Sequence, residues 1–386
     1  MFLMAVGHSD EIEPTEAIAA VVTQCEEGLA GRHPNAGLLF ANYDTDPVPL
    51  VSGVRDAFPG IELIGSTSVG EMSSVLGFRE DSVTLAVFAS DTVDVTAGWA
   101  TDAGSDPEGA ARRAALDARS KTEKEPRLCL AFPSVSREEP SRLLRELRAQ
   151  LGDGVHVLGG GSGPRVTGET SPARQFHADQ IDADAVALLL FSGPLAYSFG
   201  VDTGWRPVGR EGTVTEASGM TVRTIDDEPA VAFYERYLGP GAKPSAANPL
   251  AVFDGDPEGF YLRVPLRFEA ETGAIEVAGD VAPGSTVRLT VAVTDDIFDG
   301  TRSAATEALR SYPGGAEPRA ALVFSCAVRK MVLGTRTGME LDIARERFGP
   351  SVPICGLYCF GEIAPVRDGS TRFHNETIVA VLLGDA

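Results

Sequence analysis

The chain has 386 residues, 43% of them hydrophobic, which is enough for two or three domains with well-filled cores. Its formal net charge of −22 excludes nucleic acid and anionic membrane surfaces as partners, because both require a basic patch. Five scattered cysteines do not form a secreted disulfide framework. With no signal peptide and no apolar stretch of membrane-spanning length, the sequence predicts a cytoplasmic protein.

One order of elements is predicted three times along the chain: strand, helix, second strand with a glycine-rich turn, third strand. The distance from first strand to turn is roughly 27 to 34 residues, as expected of a strand-helix-strand unit. The predicted ranges are 37–40, 48–58, 62–71 and 83–88 in the first copy, 128–132, 137–151, 155–163 and 185–191 in the second, and 320–324, 339–348, 355–363 and 377–383 in the third.

The remaining segments complete an α/β protein of two domains with repeated strand-helix-strand units and mixed sheets. Alternating runs in the second half predict an antiparallel β section. A loop at 204–209, which contains the sequence Gly-Trp-Arg-Pro, is expected between two strands. Further predictions are strands at 1–9, 197–201, 214–222, 259–268, 274–277 and 286–293, and helices at 14–29, 106–120, 227–238 and 295–311.

The stretch 353–363 near the end of the chain is not typical of a core hairpin. It contains two glycines, two cysteines, Tyr358 and a second aromatic residue, followed by a single carboxylate, Glu362. His374 and Asn375 follow, directly before another apolar run. Polar groups beside strands that will be buried, with glycines that permit close backbone approach, predict the floor of a pocket.

Five short motifs together resemble the FIST family, the F-box and intracellular signal transduction proteins. The resemblance covers nearly the whole chain, with 1–225 similar to the N-terminal FIST domain and 226–386 to the C-terminal one. The motifs are Ile64–Glu71, Gly204–Pro207, Ser325–Arg329, Gly356–Ile363 and His374–Thr377.

This resemblance implies a bacterial intracellular sensor that binds a small ligand such as an amino acid; some members are haem proteins. The sequence carries neither an output region of the kinase, cyclase or methyl-accepting type nor an F-box. The resemblance therefore implies a stand-alone receptor whose partner is a separate signalling protein, such as a kinase or a cyclase.

Arg329 and two acids are the main candidates for the ligand site. The planar guanidinium of Arg329, shortly after a strand, suits bidentate capture of a carboxylate; the alternative is a structural ion pair with Glu362 or Glu340. Glu362 and Glu71 occupy the same place in the third and first copies and could accept an ammonium group or cap a loop. The second copy has glycines 159–161 instead, which could hold an anion or only pack.

The predicted ligand site lies in the third copy or between it and the first. The first glycine turn adds the hydroxyls of Ser66 and Thr67. These could contact a ligand or could equally well form hydrogen bonds within the turn. His374 and Asn375 could orient a ligand or serve as structural donors. The full predicted set is Arg329, Glu362, Glu71, Ser66, Thr67, Cys326, Tyr358, His374 and Asn375.

The sequence leaves two alternatives to a sensor without a cofactor. Cys326 could be a nucleophile with His374 as base, its pKa lowered by Arg329, although no third member is placed for a triad. Haem would need an axial histidine before an apolar strand, for which His177 and His374 qualify. A zinc site is disfavoured because two of its cysteines, four apart on one strand, lie about 13 Å from each other. No catalytic residue is assigned.

Overall fold

The computed structural model describes residues 1–135, 140–163, 172–253, 259–366 and 369–386. Three successive units within them repeat one order: strand, helix, strand, helical segment, strand, two-stranded hairpin, strand. Unit 1 contains β1 (Phe2–Ser9), α1 (Pro14–Leu29), β2 (Ala36–Asn42), α2 (Pro47–Ala57), β3 (Glu62–Ser68), β4 (Glu71–Ser73), β5 (Gly77–Arg79) and β6 (Val83–Ser90). Unit 2 contains β7 (Asp94–Thr101), α3 (Pro107–Ser120), β8 (Pro126–Pro133), α4 (Pro140–Leu151), β9 (His156–Gly160), β10 (Gln175–His177), β11 (Gln180–Asp182) and β12 (Ala185–Ser192).

Unit 3 follows the same order but carries an insertion, residues 206–291, after its first strand. The insertion comes directly after β13 (Leu195–Asp202) and contains β14 (Arg206–Ser218), β15 (Thr221–Ile225), β16 (Glu228–Pro229), α5 (Ala230–Leu238), β17 (Leu250–Phe253), β18 (Tyr261–Arg263), β19 (Pro265–Phe268), β20 (Ile275–Val277) and β21 (Thr286–Val291). Unit 3 continues with α6 (Thr294–Arg310), β22 (Ala320–Cys326), α7 (Ala327–Leu333), α8 (Met339–Phe348), β23 (Ile354–Cys359), β24 (Glu362–Pro365), β25 (Thr371–His374) and β26 (Ile378–Asp385).

The three units form three six-stranded sheets with the same strand order. In each sheet the first strand of the unit lies at one edge, followed by the last, the second and the third strands. The second and third strands are parallel, and the other pairs are antiparallel.

The hairpin of each unit completes the sheet of another unit. Hairpin β4–β5 pairs with β23 of unit 3, β24–β25 pairs with β9 of unit 2, and β10–β11 pairs with β3 of unit 1. The exchange is cyclic, so every sheet contains strands from two units. A sheet without its foreign hairpin would expose an unpaired edge.

The inner faces of the three sheets share one hydrophobic core. Phe40, Phe132 and Phe324 occupy equivalent positions on the three second strands and are fully buried. The ring centroid of Phe132 lies 5.2 Å from that of Phe40 and 5.5 Å from that of Phe324. The helices cover the outer faces, where each unit has its own smaller core.

One glycine position confirms that the units are equivalent. Gly65, Gly159 and Gly356 stand on the third strands, each beside the parallel second strand. A Cβ at any of them would overlap the backbone carbonyl of the residue opposite. Only glycine permits this close approach, which explains why glycine occupies this position in all three units.

The insertion is an eight-stranded antiparallel sheet around a core of its own. A second apolar cluster joins it to the helices of unit 3, with buried Trp205 against Ile297 and Phe298 of α6. The insertion is therefore fixed to unit 3 at the end of the sheet where β22 and β23 finish.

The predicted α/β class with mixed sheets and an antiparallel section is confirmed. The loop predicted at 204–209 is wrong in part, because β14 begins at Arg206 and pairs with β21 before a bulge. The strand predicted at 214–222 is two strands separated by a turn at Gly219, which has a positive φ. Residues 137–139 of the helix predicted at 137–151 lie outside the described residues, and the boundary at 225/226 stays a prediction.

Phe132→Ala should lower the free energy of unfolding by about 3–5 kcal/mol, because it opens a cavity where the three sheets meet. Urea denaturation measures this loss. Leu116→Ala is the control, since Leu116 is 52% exposed and its truncation should change stability by no more than about 0.5 kcal/mol. Equal losses in the two variants would contradict a shared central core.

Candidate functional site

Three polar residues occupy equivalent positions where each hairpin enters its foreign sheet. Glu71 pairs with Leu357, Gln175 with Ser66, and Glu362 with Gly160, each one residue beyond the equivalent glycine. Each side chain also accepts a hydrogen bond at the start of the last strand of its own unit: from the Ser82 hydroxyl, the Ala185 N–H and the Thr377 N–H. The correspondence expected between Glu71 and Glu362 is therefore present, and Gln175 is their counterpart in unit 2.

Glu71 lies in a closed hydrogen-bond network. The hydroxyls of Ser68 and Ser82 each donate to its carboxyl group at 2.5 Å. His8 continues the chain, with Nε2 at 2.9 Å from Ser82 Oγ and Nδ1 at 2.8 Å from Ser73 Oγ. Burial raises the pKa of Glu71 to about 8 and lowers that of His8 to about 4. Every polar atom of these two side chains has a partner, as in a structural network.

Glu362 is surrounded by thiols instead of hydroxyls. Cys359 Sγ donates to Glu362 Oε1 at 3.4 Å, and the Thr377 N–H donates to Oε2 at 3.0 Å. Cys326 also bonds to this carboxyl group. Burial raises the pKa of Glu362 to about 8, and burial followed by the charge of Glu362 raises the pKa of both thiols well above the ordinary value.

The expected lowering of the Cys326 pKa is therefore wrong, because its pKa is raised. An activated nucleophile needs a lowered thiol pKa, which a nearby cation or a helix N-terminus can supply. Here burial and Glu362 dominate, and they raise the pKa of Cys326. His374 forms its ring contact with the Ala364 carbonyl, 3.1 Å from Nε2, and not with the thiol. A hydrolytic role for Cys326 has no support in this geometry.

Arg329 forms a fully buried ion pair with Glu340 of α8. Its Nη2 lies 2.6 Å and its Nε 2.9 Å from Glu340 Oε1. Thr301, Ser325 and Tyr358 complete the shell: the hydroxyls of Ser325 and Tyr358 donate to Glu340 Oε2 at 2.9 and 2.7 Å. The structural ion pair with Glu340, one of the two interpretations of Arg329, is thus present.

The remaining donors of Arg329 hold three backbone carbonyls. Nη1 donates to Thr203 O and to Glu376 O, and Nη2 donates to Ile297 O at 3.0 Å. These carbonyls belong to the loop after β13, the loop before β26 and helix α6. Arg329 therefore fixes the backbone around the end of unit 3, and its role as a ligand anchor stays a prediction.

Glu376 is the most unusual residue in this region. Its side chain is fully buried, and in the described part of the chain neither carboxylate oxygen has a hydrogen-bond partner. Its φ is +54°, in the left-handed region that non-glycine residues rarely adopt. Burial raises the pKa of Glu376 well above its ordinary value, against the opposing charge of Arg329.

Tyr234 of the insertion presents a second unpartnered group near Glu376. Its hydroxyl is buried and has no hydrogen-bond partner among the described residues. Burial and then the charge of Glu376 raise the pKa of Tyr234 well above its ordinary value. Orphaned buried polar atoms are rare in proteins, so two that interact electrostatically mark a place where another polar group belongs.

The insertion is bonded to the loop that carries Glu376. The Val264 N–H donates to Asn375 Oδ1 at 3.0 Å, and Arg263 Nη1 donates to Phe373 O at 2.8 Å. On the other side, the Thr203 hydroxyl donates to Glu376 O at 2.8 Å. The predicted residue Asn375 thus helps to hold the insertion against unit 3.

We define the acid–thiol cluster as Cys326, Cys359, Glu362 and Glu376. Of the other predicted ligand residues, Tyr358 lies beside Glu340, while Ser66, Thr67 and Glu71 lie on the strands β3 and β4 of unit 1. Thr67 Oγ1 accepts the Arg174 N–H at 3.0 Å, and the Ser66 hydroxyl has no partner among the described residues.

Neither histidine proposed for haem has the required surroundings. His374 is 4% exposed, and its Nε2 is engaged by a backbone carbonyl. His177 is stacked on Trp99, with ring centroids 5.6 Å apart and an interplanar angle of 16°. A haem needs an axial nitrogen facing an apolar slot, and these contacts do not fit it.

Sequence reasoning missed Glu376 and Tyr234. Glu376 belongs to the motif His374–Thr377, so the motif indicated the right loop but not the residue. Tyr234 sits in a helix with ordinary amphipathic spacing, and no local signal distinguishes it. Within the described ranges, no three His, Cys, Asp or Glu side chains are arranged to hold a metal ion, and no helix is long and apolar enough to span a membrane.

Models of two protein domains match this chain. The FIST N domain matches residues 35–228 and the FIST C domain matches residues 230–365. The chain therefore belongs to the FIST family, as its motifs indicated, and FIST domains are associated with sensor domains of signal transduction. No curated protein matches its sequence.

Solved structures show only remote similarity. Cyanuric acid hydrolase from A. caulinodans has 9% identity and a TM-score of 0.37, over 100% of this chain and 99% of that chain. PurL from T. maritima, complexed with FGAR, has 14% identity and a TM-score of 0.23, over 100% of this chain and 72% of that chain. At these TM-scores neither similarity bears on function.

Glu340→Gln should lower the free energy of unfolding by about 3–5 kcal/mol, because it leaves the buried guanidinium of Arg329 without its counter-charge. Replacing Arg329 and Glu340 together by methionine should recover part of that loss. Chemical denaturation of the three proteins gives the comparison. The control is Glu307→Gln, which breaks the exposed Glu307–Arg310 pair and should cost no more than about 1 kcal/mol. Similar losses at both pairs would contradict the buried ion pair.

Stability should fall as the pH rises, and Glu71→Gln should reduce that fall. Folded Glu71 keeps its proton to a pKa of about 8, whereas the unfolded chain releases it near 4.5. Between these values the folded state binds more protons, so each such group lowers the free energy of unfolding by up to about 1.4 kcal/mol per pH unit.

Urea titrations across this pH range measure the slope for the parent and for Glu71→Gln. Glu123→Gln is the control, since Glu123 is exposed and should leave the slope unchanged. If Glu71→Gln had the parent slope, Glu71 would be ionised in the folded protein.

Proposed function

We propose that this FIST protein is a sensor for a small molecule that carries a primary amine, such as an amino acid. The single observation behind the proposal is Glu376, a buried carboxyl group without a hydrogen-bond partner in the described part of the chain. Family membership supports the sensor role, and the chemistry of the site supports the ligand class.

The state of Glu376 is energetically unfavourable without a ligand. A buried group that makes no hydrogen bond costs about 1–3 kcal/mol, and a left-handed conformation at a non-glycine residue costs a further 1–3 kcal/mol or so. Costs of this kind are typical of functional sites, where the surrounding structure enforces them. The contacts of Arg329 and Thr203 with the Glu376 carbonyl supply that enforcement here.

An ammonium group complements this site in charge and in hydrogen bonding. It has three N–H donors, for which the Glu376 carboxylate and the Tyr234 hydroxyl oxygen are unused acceptors. Its positive charge would favour the ionised form of Glu376, which burial alone disfavours. Glu362 lies close enough that its charge raises the pKa of Glu376, so the cluster as a whole favours a cation.

The insertion would transmit binding. The acid–thiol cluster is buried, so a ligand would reach Glu376 by a local opening, for which the contacts of Val264 with Asn375 and of Arg263 with Phe373 are candidates. A ligand that bonds to Glu376 on unit 3 and to Tyr234 on the insertion favours one arrangement of the two. A separate signalling protein, such as a kinase or a cyclase, would detect that arrangement.

Amino acids and simple amines should raise the melting temperature of the parent protein, since a ligand at 100 times its Kd adds about 2.7 kcal/mol. Glu376→Gln should abolish the shift and Tyr234→Phe should weaken it, while Glu123→Gln, at an exposed glutamate, should leave it intact. An undiminished shift in Glu376→Gln, or no shift with any amine, would refute the proposal.

The affinity should also rise with pH over the range in which Glu376 titrates, because the ligand binds its ionised form and displaces a proton. Calorimetry in buffers of different ionisation enthalpy would detect that proton. Binding without proton release would show that the amine lies elsewhere.

A further inference from the structure

Cys326 and Cys359 form a pair of neighbouring thiols. They are register partners at the ends of the parallel strands β22 and β23, so their side chains lie on the same face of the sheet. Both are buried and free, and Cys326 contributes to the raised pKa of Cys359. Two thiols placed side by side on adjacent strands can both bind one ligand.

The other two units do not have thiols at the equivalent positions. Unit 1 pairs Asn42 with Ser68, and unit 2 pairs Ser134 with Ser162. These residues have ordinary structural roles: Asn42 Oδ1 accepts from the Asp44 N–H at 2.7 Å, and the Ser134 hydroxyl donates to Ala183 O at 3.0 Å. The fold therefore does not require sulfur at this place, and unit 3 differs in its chemistry.

The strand spacing allows both thiols to reach one ion. Parallel strands hold the backbones of register partners about 4.8 Å apart, and two metal–sulfur bonds of about 2.3 Å in a linear arrangement place the two sulfur atoms about 4.6 Å apart. The same backbone spacing falls within the range of about 4.4–6.8 Å between the Cα atoms of a disulfide, so a disulfide is the alternative that the experiment must distinguish.

We propose that Cys326 and Cys359 bind one soft monovalent metal ion, with Cu(I) as its representative, as a two-coordinate bis-thiolate. Thiolates select Cu(I) because both partners are soft. The reaction is Cu⁺ + 2 RSH → [RS–Cu–SR]⁻ + 2 H⁺, with no change of oxidation state. Both protons are released to the solvent buffer. An ion also needs no cavity of the size that an organic ligand requires.

The proposal goes beyond the amine sensor and stands on different residues, so the two can fail separately. Under anaerobic conditions the parent protein should take one equivalent of Cu(I) from a colorimetric Cu(I) chelator. Cys326→Ser and Cys359→Ser should each lose this competition. Cys129→Ser is the matched control, because Cys129 is a buried thiol on the equivalent second strand of unit 2 without a cysteine partner opposite it. It should bind as the parent does.

Thermal melting identifies variants that fail to fold, and a second experiment uses only the parent protein. Phenylarsine oxide, which bridges two adjacent thiols, should form one adduct that peptide mapping assigns to Cys326 and Cys359, and prior loading with Cu(I) should prevent it. Adducts elsewhere, Cu(I) uptake that survives both substitutions, or uptake that Cys129→Ser also abolishes would overturn the proposal. So would a disulfide between the two cysteines in a protein that takes up no Cu(I).

Discussion

The pairing of each hairpin with a foreign sheet is the constraint on which the rest of the structure depends. The third strands β3, β9 and β23 would each be an unprotected parallel edge within their own unit, and such edges promote aggregation. The cyclic exchange covers all three edges at once. No single unit can therefore bury its sheet alone, and the shared core around Phe132 forms only when all three are assembled.

The exchange also explains why carboxyl groups are buried here at all. Glu71, Gln175 and Glu362 stand where the chain leaves one unit and enters the sheet of another, and each accepts a hydrogen bond at the start of the last strand of its own unit. A side chain with two acceptor positions serves this purpose, and a neutral amide does so in unit 2. The raised pKa values near 8 indicate that the two acids are close to the same neutral state at physiological pH. Unit 3 departs from this pattern with its thiols, its insertion and Glu376.

The sequence predicted the repeated units, most helices and the antiparallel section, because these depend on local periodicity and glycine placement. Helix α1 begins and ends where its pattern predicted, at Pro14 and Leu29. The exchange of hairpins was not predictable, because strand pairing across hundreds of residues leaves no periodic signal in a single sequence. Gln175 could not be recognised as the counterpart of Glu71, because more residues separate it from the preceding strand than in unit 1.

The motifs include the loop that carries Glu376, but they do not distinguish a ligand-binding residue from a structural one. An arginine after a strand end is equally suited to capture a ligand carboxylate or to hold a buried glutamate, and in the folded chain Arg329 is paired with Glu340. Because Glu340 neutralises its charge, Arg329 can donate its other hydrogen bonds to the backbone carbonyls of Thr203 and Glu376. Those bonds hold Glu376 in its left-handed conformation, so the ion pair stabilises the strained backbone beside it. The charge that makes Arg329 attractive as a ligand anchor thus keeps Glu376 in place as the unsatisfied group.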